Sequence, residues 1–226
     1  MKVILFGATG MIGQGVLREC LLSPDVQLVQ TIGRSATGGN NQKLREIVRQ
    51  DLFDYSGMTA DLTGFDACFF CLGVSSAGMK EEDYERVTYG ITLAAAKTLA
   101  PLNPDMTFIY VSGMGTDSTE QGRVMWARVK GKTENALLRL PFKAVYLFRP
   151  AGIQPLHGIK SKTKLYRMMY AFSATLCPFL NANFPHYLTT TEKVGRAMIN
   201  VTMRGYPKKV LETQDINSAA TTIEKE

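Results

Sequence analysis

Histidine is scarce in this sequence, with His157 and His186 the two examples, and that argues against a histidine-rich metal site. Cysteine is nearly as rare. The spacings of Cys20, Cys68, Cys71 and Cys177 do not form a secreted disulfide framework. Long apolar runs are missing as well. Gly7 breaks the opening stretch before a signal-peptide core can build. The greasiest later stretch, residues 165–180, contains Arg167 and Pro178 and is shorter than the ~20 residues a spanning helix needs. Neither charge sign dominates: 26 basic against 20 acidic residues gives +6. That balance suits an anionic ligand but is too weak and scattered to argue for nucleic acid. The expectation is a soluble protein of a reducing compartment, placed in the cytoplasm. With 45% hydrophobic residues among 226, a folded core is within reach and wholesale disorder is excluded.

Short apolar runs alternate with longer helical stretches. Strands are expected at residues 3–6, 26–32, 44–48, 65–72, 106–111 and 143–148, and a last one at 208–211. Helices are expected at 11–22, at 81–100 stopped by Pro101, at 123–140 stopped by Pro141, and at 163–176 and 191–203. Strands alternating with helices predict an α/β fold with a doubly wound parallel sheet covered on both faces. Residues 1–216 read as a single domain, with 151–190 as a small substrate-facing lobe and 217–226 as a fraying tail.

The first strand runs straight into Gly7-Ala8-Thr9-Gly10-Met11-Ile12-Gly13. Strand, glycine-rich turn, helix is the context in which a dinucleotide fingerprint carries meaning. Gly7 allows the tight turn, Gly10 lets backbone approach a pyrophosphate, and Gly13 lets the helix sit close to the sheet. The helix start, at Met11 and Ile12, then offers free N–H groups and a positive dipole end to phosphates.

This glycine spacing, with Thr9 before the middle glycine, resembles the extended and atypical short-chain dehydrogenase/reductase superfamily, in its NAD-dependent epimerase/dehydratase-like and NmrA-like branches. The resemblance covers most of the chain and implies a Rossmann fold. It implies that Asp51 and Leu52 face adenine and that Leu72, Gly73 and Val74 line the cofactor. Thr88, in Val87-Thr88-Tyr89, stands where such proteins often carry Asn. Arg149-Pro150-Ala151-Gly152-Ile153 resembles the loop flanking the nicotinamide, which brings Pro150 and Ile153 to the cofactor. Dimer formation through the helices after strands four and five is implied by the same analogy.

The cofactor follows from the end of the second strand. An NAD-preferring protein usually has an acidic residue there for the ribose hydroxyls. Here Arg34 and Ser35 stand in its place. Arginine pairs bidentately with a 2′-phosphate. One charge-assisted bond is worth roughly 1.5–3 kcal/mol, which favours NADP(H) over NAD(H) by roughly tenfold to a hundredfold.

In the superfamily resembled, catalysis rests on Ser, Tyr and Lys, the last two spaced Tyr-x-x-x-Lys. Ser112 and Lys130 fit the first and last places, and Lys130 would also hold the nicotinamide ribose. Trp126 occupies the tyrosine position. None of the nine tyrosines has a lysine four residues later, so realignment does not restore the motif. The spacing keeps Trp126 and Lys130 on one helix face, but an indole N–H does not act as an acid at neutral pH. Tyr89, Tyr110 and a water held by Ser112 and Lys130 are the alternatives for the proton.

Other features read more plainly. Cys68 and Cys71 lie in an apolar strand, where residues three apart point to opposite faces, so two buried thiols are expected. Lys160, Lys162, Lys164 and Arg167 precede Met168, Met169, Tyr170 and Phe172. They read as the solvated end of a lobe helix, with a peripheral membrane or protein contact through 160–172 as the competing reading. His157 reads as a loop histidine, or as a substrate contact if the lobe covers the nicotinamide.

Two functions from different classes remain open. One is an NADP(H)-dependent oxidoreductase or epimerase-like enzyme acting on an unidentified small molecule. The other is a catalytically defective NADP(H) sensor whose occupancy a partner reads. The missing tyrosine favours the sensor, and the retained Ser112 and Lys130 favour the enzyme.

Overall fold

The computed structural model describes residues 1–159 and 187–221. Its strands are β1 (Lys2–Phe6), β2 (Leu28–Gly33), β3 (Leu44–Val48), β4 (Ala67–Phe70), β5 (Thr107–Val111), β6 (Ala144–Arg149), β7 (Gly152–Gln154), β8 (Leu188–Thr190) and β9 (Val210–Glu212). Seven of them form one sheet in the order β3-β2-β1-β4-β5-β6-β9. Every neighbouring pair in it is parallel. β7 and β8 pair separately, also in parallel.

The helices are α1 (Met11–Leu22), α2 (Thr59–Leu62), α3 (Glu81–Glu85), α4 (Ile91–Leu102), α5 (Met125–Leu137), α6 (Thr191–Arg204) and α7 (Thr213–Ala220). Strand periodicity sorts the side chains into two layers. Val3 and Leu5 of β1 pack with Val16 of α1 and Val194 and Met198 of α6. Ile4 and Phe6 point the other way, toward Ala95 and Leu99 of α4 and Leu137 of α5. A strand covered on both faces needs apolar residues in succession, and β1 supplies them. Winding reverses between β1 and β4, and crevices in such sheets open at that switch point, beyond the strands' carboxyl ends.

Several expected boundaries shift. Residues 81–100 do not form one helix: α3 and α4 are joined by a π-helical turn, Arg86–Gly90. Pro101 lies inside the last turn of α4 and does not stop it. Its ring forgoes the bond to Lys97 O, and the helix still closes normally, with the Asn103 N–H donating to Leu99 O at 3.0 Å. The helix expected at 123–140 contracts to α5, with Val124 extended ahead of it. The last strand sits at Val210–Glu212 instead of 208–211.

Of the tail expected to fray at 217–226, residues 222–226 lie outside the described residues, and 217–220 belong to α7, which runs to Ala220. Glu212 and Asp215 form a capping box at its start. Ile216 and Ala220 are buried, and Asn217 Nδ2 donates to Leu188 O at 2.9 Å. The helix expected at 163–176, the basic stretch 160–172 and most of the lobe lie outside the described residues.

Asn103 ties two connections together. Its Oδ1 accepts from the N–H groups of Gly64 at 2.8 Å and Phe65 at 2.9 Å. Its Nδ2 donates to Leu62 O at 2.8 Å and Leu99 O at 3.2 Å. The residue is buried, so this side chain is satisfied wholly within the protein.

Candidate functional site

The glycine loop closes tightly at the end of β1. Gly7 has φ +78°, and a Cβ there would lie 2.6 Å from Leu72 N. A Cβ on Gly13 would lie 2.0 Å from Gly7 O. The loop can therefore press against both β4's exit and α1 only while these positions lack side chains. The Gly10 N–H donates to Gly7 O at 2.9 Å. α1 has no side-chain cap and no acidic residue in its first turn, so its positive end is unopposed from within.

Three cavities line up along the sheet's carboxyl edge. The first, about 450 Å³, is walled by Gly7, Thr9, Arg34, Ser35, Gln50 and Leu72, among others. The second, about 200 Å³, shares Arg34, Gln50 and Leu72 and adds Leu52, Gly73 and Val74. The third, about 590 Å³, shares Val74 and adds Ile12, Ser112, Trp126, Lys130, Pro150 and Ile153. Thus most residues singled out from the sequence face one crevice. Gly10 and Gly13 shape it from behind. Met11 and Asp51 are not among its walls. Asp51 Oδ1 instead accepts the Phe53 N–H at 2.8 Å.

Behind the third cavity lies a buried polar cluster. Ser112 Oγ donates to Glu134 Oε1 at 2.5 Å, with Phe148 O at 3.2 Å. Glu134 is almost fully buried and forms an ion pair with Arg149, whose Nε also donates to Oε1 at 3.0 Å. Lys130 stands one turn before Glu134 on α5, and its Nζ donates to Ser112 O. Burial pushes the Lys130 ammonium down to about 8, while the Glu134 charge pulls the other way.

The loop after β5 is fixed over α5. Asp117 Oδ2 accepts from Gly122 N at 2.7 Å, and Oδ1 accepts from the Thr119 hydroxyl at 2.6 Å. These bonds hold the Asp117 carboxyl below the usual carboxylate range. Gly131 makes the docking possible, since a Cβ there would lie 1.7 Å from Asp117 O.

No protein-family model matches the chain. It is 25% identical over 214 residues to mitochondrial protein FMP52-2 of Scheffersomyces stipitis, covering 92% of this chain and 90% of that one. Among solved structures it resembles the UDP-N-acetylglucosamine 4-epimerase of Methanobrevibacter ruminantium. That match has TM-score 0.68 and 15% identity, over 93% of this chain and 75% of that one. It also resembles DesIV, a dTDP-glucose 4,6-dehydratase of Streptomyces venezuelae solved with NAD and TYD bound. There the TM-score is 0.68 and the identity 16%, over 94% and 75% of the two chains. The fold is of the Rossmann type. FMP52 proteins of Debaryomyces hansenii and Candida albicans are likewise named mitochondrial. These names overturn the cytoplasmic placement expected from the sequence, because compartment is set by targeting, which composition and fold do not encode.

The structure also separates the tyrosines. Tyr110 is buried and its hydroxyl is pushed up by desolvation. Tyr89 lies beneath Lys132, whose Nζ is 5.1 Å from the ring centre. Neither lines the third cavity, whereas Tyr84 and Tyr187 do. Sequence reasoning missed both, because one comes from α3 and the other from the edge of β8, far from the motif. It also missed Gln50, whose Nε2 donates to Arg34 O at 3.2 Å. The acidic-pair segment had pointed one residue too far. His157 pairs with Glu192 at 2.7 Å, away from the cavity. Cys68 and Cys71 pack into opposite layers, as strand geometry requires.

Proposed function

We propose that this chain binds NADP(H) along the crevice and acts as an oxidoreductase on a small carbonyl or alcohol in the third cavity. The observation that carries the reading is the unbroken run of walls from the glycine loop through Arg34 to Lys130. The residues fit the cofactor. Gly7 and Gly13 leave backbone room, and α1 presents an uncapped N-terminus. Arg34 has no ion-pair partner among the described residues. An acid at the end of β2 would repel a 2′-phosphate, and none stands there. That supports NADP(H) over NAD(H). The epimerase and dehydratase of similar fold bind nucleotide-linked substrates by name, which supports a nicotinamide-type chemistry without fixing a substrate.

When bound, the nicotinamide would supply or take a hydride. The proton must then come from the chain. Trp126 cannot give one, and Ser112 has its hydroxyl directed at Glu134. Lys130 is suited to the task. An ammonium held near 8 is mostly protonated at neutral pH yet releases its proton readily. One of its three N–H donors engages Ser112 O, which leaves two to face a substrate oxygen. In reduction, the oxygen takes a proton from Nζ, and water restores it.

Single-turnover oxidation of NADPH against a panel of aldehydes, ketones and nucleotide sugars tests the reading. Lys130→Met is expected to slow turnover by about 10²–10⁴-fold while the variant still binds NADPH. Tyr84→Phe and Tyr187→Phe should slow it far less. Tight binding with no turnover across the panel would favour the second reading, a cofactor sensor. The specific observation behind that alternative is Trp126 on the cavity wall, where the resembled motif would have its tyrosine.

A further inference from the structure

We infer that the substrate half of the third cavity takes an uncharged, ring-bearing carbonyl compound, and not a nucleotide sugar. The inference rests on the cofactor reading above. Val74, Met114 and Tyr187 are 43%, 49% and 56% exposed, and all three line this one cavity with Trp126. Large apolar side chains gathered at one opening mark a surface that a ligand covers. The others exposed to this degree, such as Leu22, Val48 and Met203, are not walls of this cavity. Two aromatic rings at the same opening favour a flat partner, through offset or edge-on ring packing.

The charges point the same way. No carboxylate lines the cavity among the described residues, and Lys130 is its one cation. One of the lysine's three N–H donors is taken by Ser112 O. A sugar diphosphate would bring two negative charges to a wall whose described residues include no arginine fork to receive them. The Ser112 hydroxyl is committed to Glu134, and the other hydroxyl-bearing walls, Ser75, Ser76, Tyr84 and Tyr187, carry no charge to meet a diphosphate. A volume of about 590 Å³ accommodates a drug-sized molecule beside the nicotinamide.

The test begins by titrating folded protein with NADP⁺ and NAD⁺ calorimetrically, then loading it with the tighter binder. Failure of both to bind would sink the cofactor reading itself. The loaded protein is next titrated with 2-acetonaphthone and with UDP-glucose. The ketone cannot be oxidised by the cofactor, so binding is read without turnover. Acetonaphthone should bind at least tenfold more tightly than UDP-glucose. Met114→Ser and Tyr187→Ser should each weaken it at least fivefold while cofactor affinity stays at the wild-type value. That retained affinity also shows that the variants fold. UDP-glucose binding as tightly or more tightly would overturn the proposal. So would acetonaphthone binding that neither substitution changes.

Discussion

Arg34 follows the end of β2 and lines the crevice, with its carbonyl held by Gln50. Arg34→Ser should therefore lower NADPH affinity roughly tenfold to a hundredfold and leave NADH affinity nearly unchanged, as parallel calorimetric titrations would show. An equal loss for both cofactors would assign Arg34 to general phosphate attraction. Lys130 makes a different kind of prediction. Acid catalysis needs its protonated form, so the reductive rate should be high below about pH 8 and fall as pH rises through that value. The Glu134 charge raises the Lys130 value. Glu134→Gln should accordingly move the falling limb to lower pH, and a rate–pH profile of both proteins checks this. A limb that stays in place would mean that Lys130 is not the proton source. That Ser112 and Arg34 would lie along the crevice was legible because each follows a strand end, and Lys130 because of its spacing on the next helix. Glu134 was not, because its surroundings depend on Ser112 and Arg149 arriving on α5 from the ends of β5 and β6.

Among the elements, β3 and α1 matched their expected limits because punctuation and periodicity agree there. The helix after β4 did not. Nothing in its residue pattern marks the π turn at Arg86–Gly90, and such insertions often accompany functional sites. Here Tyr84, Val87 and Ile91 from this stretch all reach the crevice. Pro101 misled because a proline in the last turn of a helix costs only one backbone bond, and the turn still closes on Asn103. Asn103→Asp should place a carboxylate oxygen against Leu62 O and Leu99 O, where an amide now donates. We expect a loss of about 2–4 kcal/mol, measured as a lower urea midpoint at neutral pH. A change under 0.5 kcal/mol would mean that the connection relaxes freely.

Taken as one body, the molecule places its crevice across the point where the two windings of the sheet meet. A ligand bound there touches loops from β1, β2, β4, β5 and β6 together, and unfolding must release it. At a hundred times its dissociation constant a cofactor adds about 2.7 kcal/mol. For a chain of this size that raises Tm by roughly 5–10 °C. Scanning calorimetry with NADPH should show this shift, and NADH at the same concentration should give a smaller one. The parallel, doubly covered sheet was readable because buried parallel strands write themselves as apolar runs; its strand order was not. The separation of Cys68 from Cys71 was readable for the same reason. The start of the tail was misjudged because α7 buries only Thr213, Ile216 and Ala220, too sparse an apolar stripe to stand out from polar surroundings.

Asn103 has a bearing on how the molecule ages. Asparagine side chains are lost over time chiefly when the backbone nitrogen of the next residue attacks the amide and closes a five-membered imide. The next residue here is Pro104, whose nitrogen carries no hydrogen and is a poor attacker. The amide that bridges Leu62, Gly64, Phe65 and Leu99 is thus shielded from spontaneous deamidation by the residue that follows it, and this connection should outlast exposed asparagines such as Asn40 and Asn41 in an aged sample.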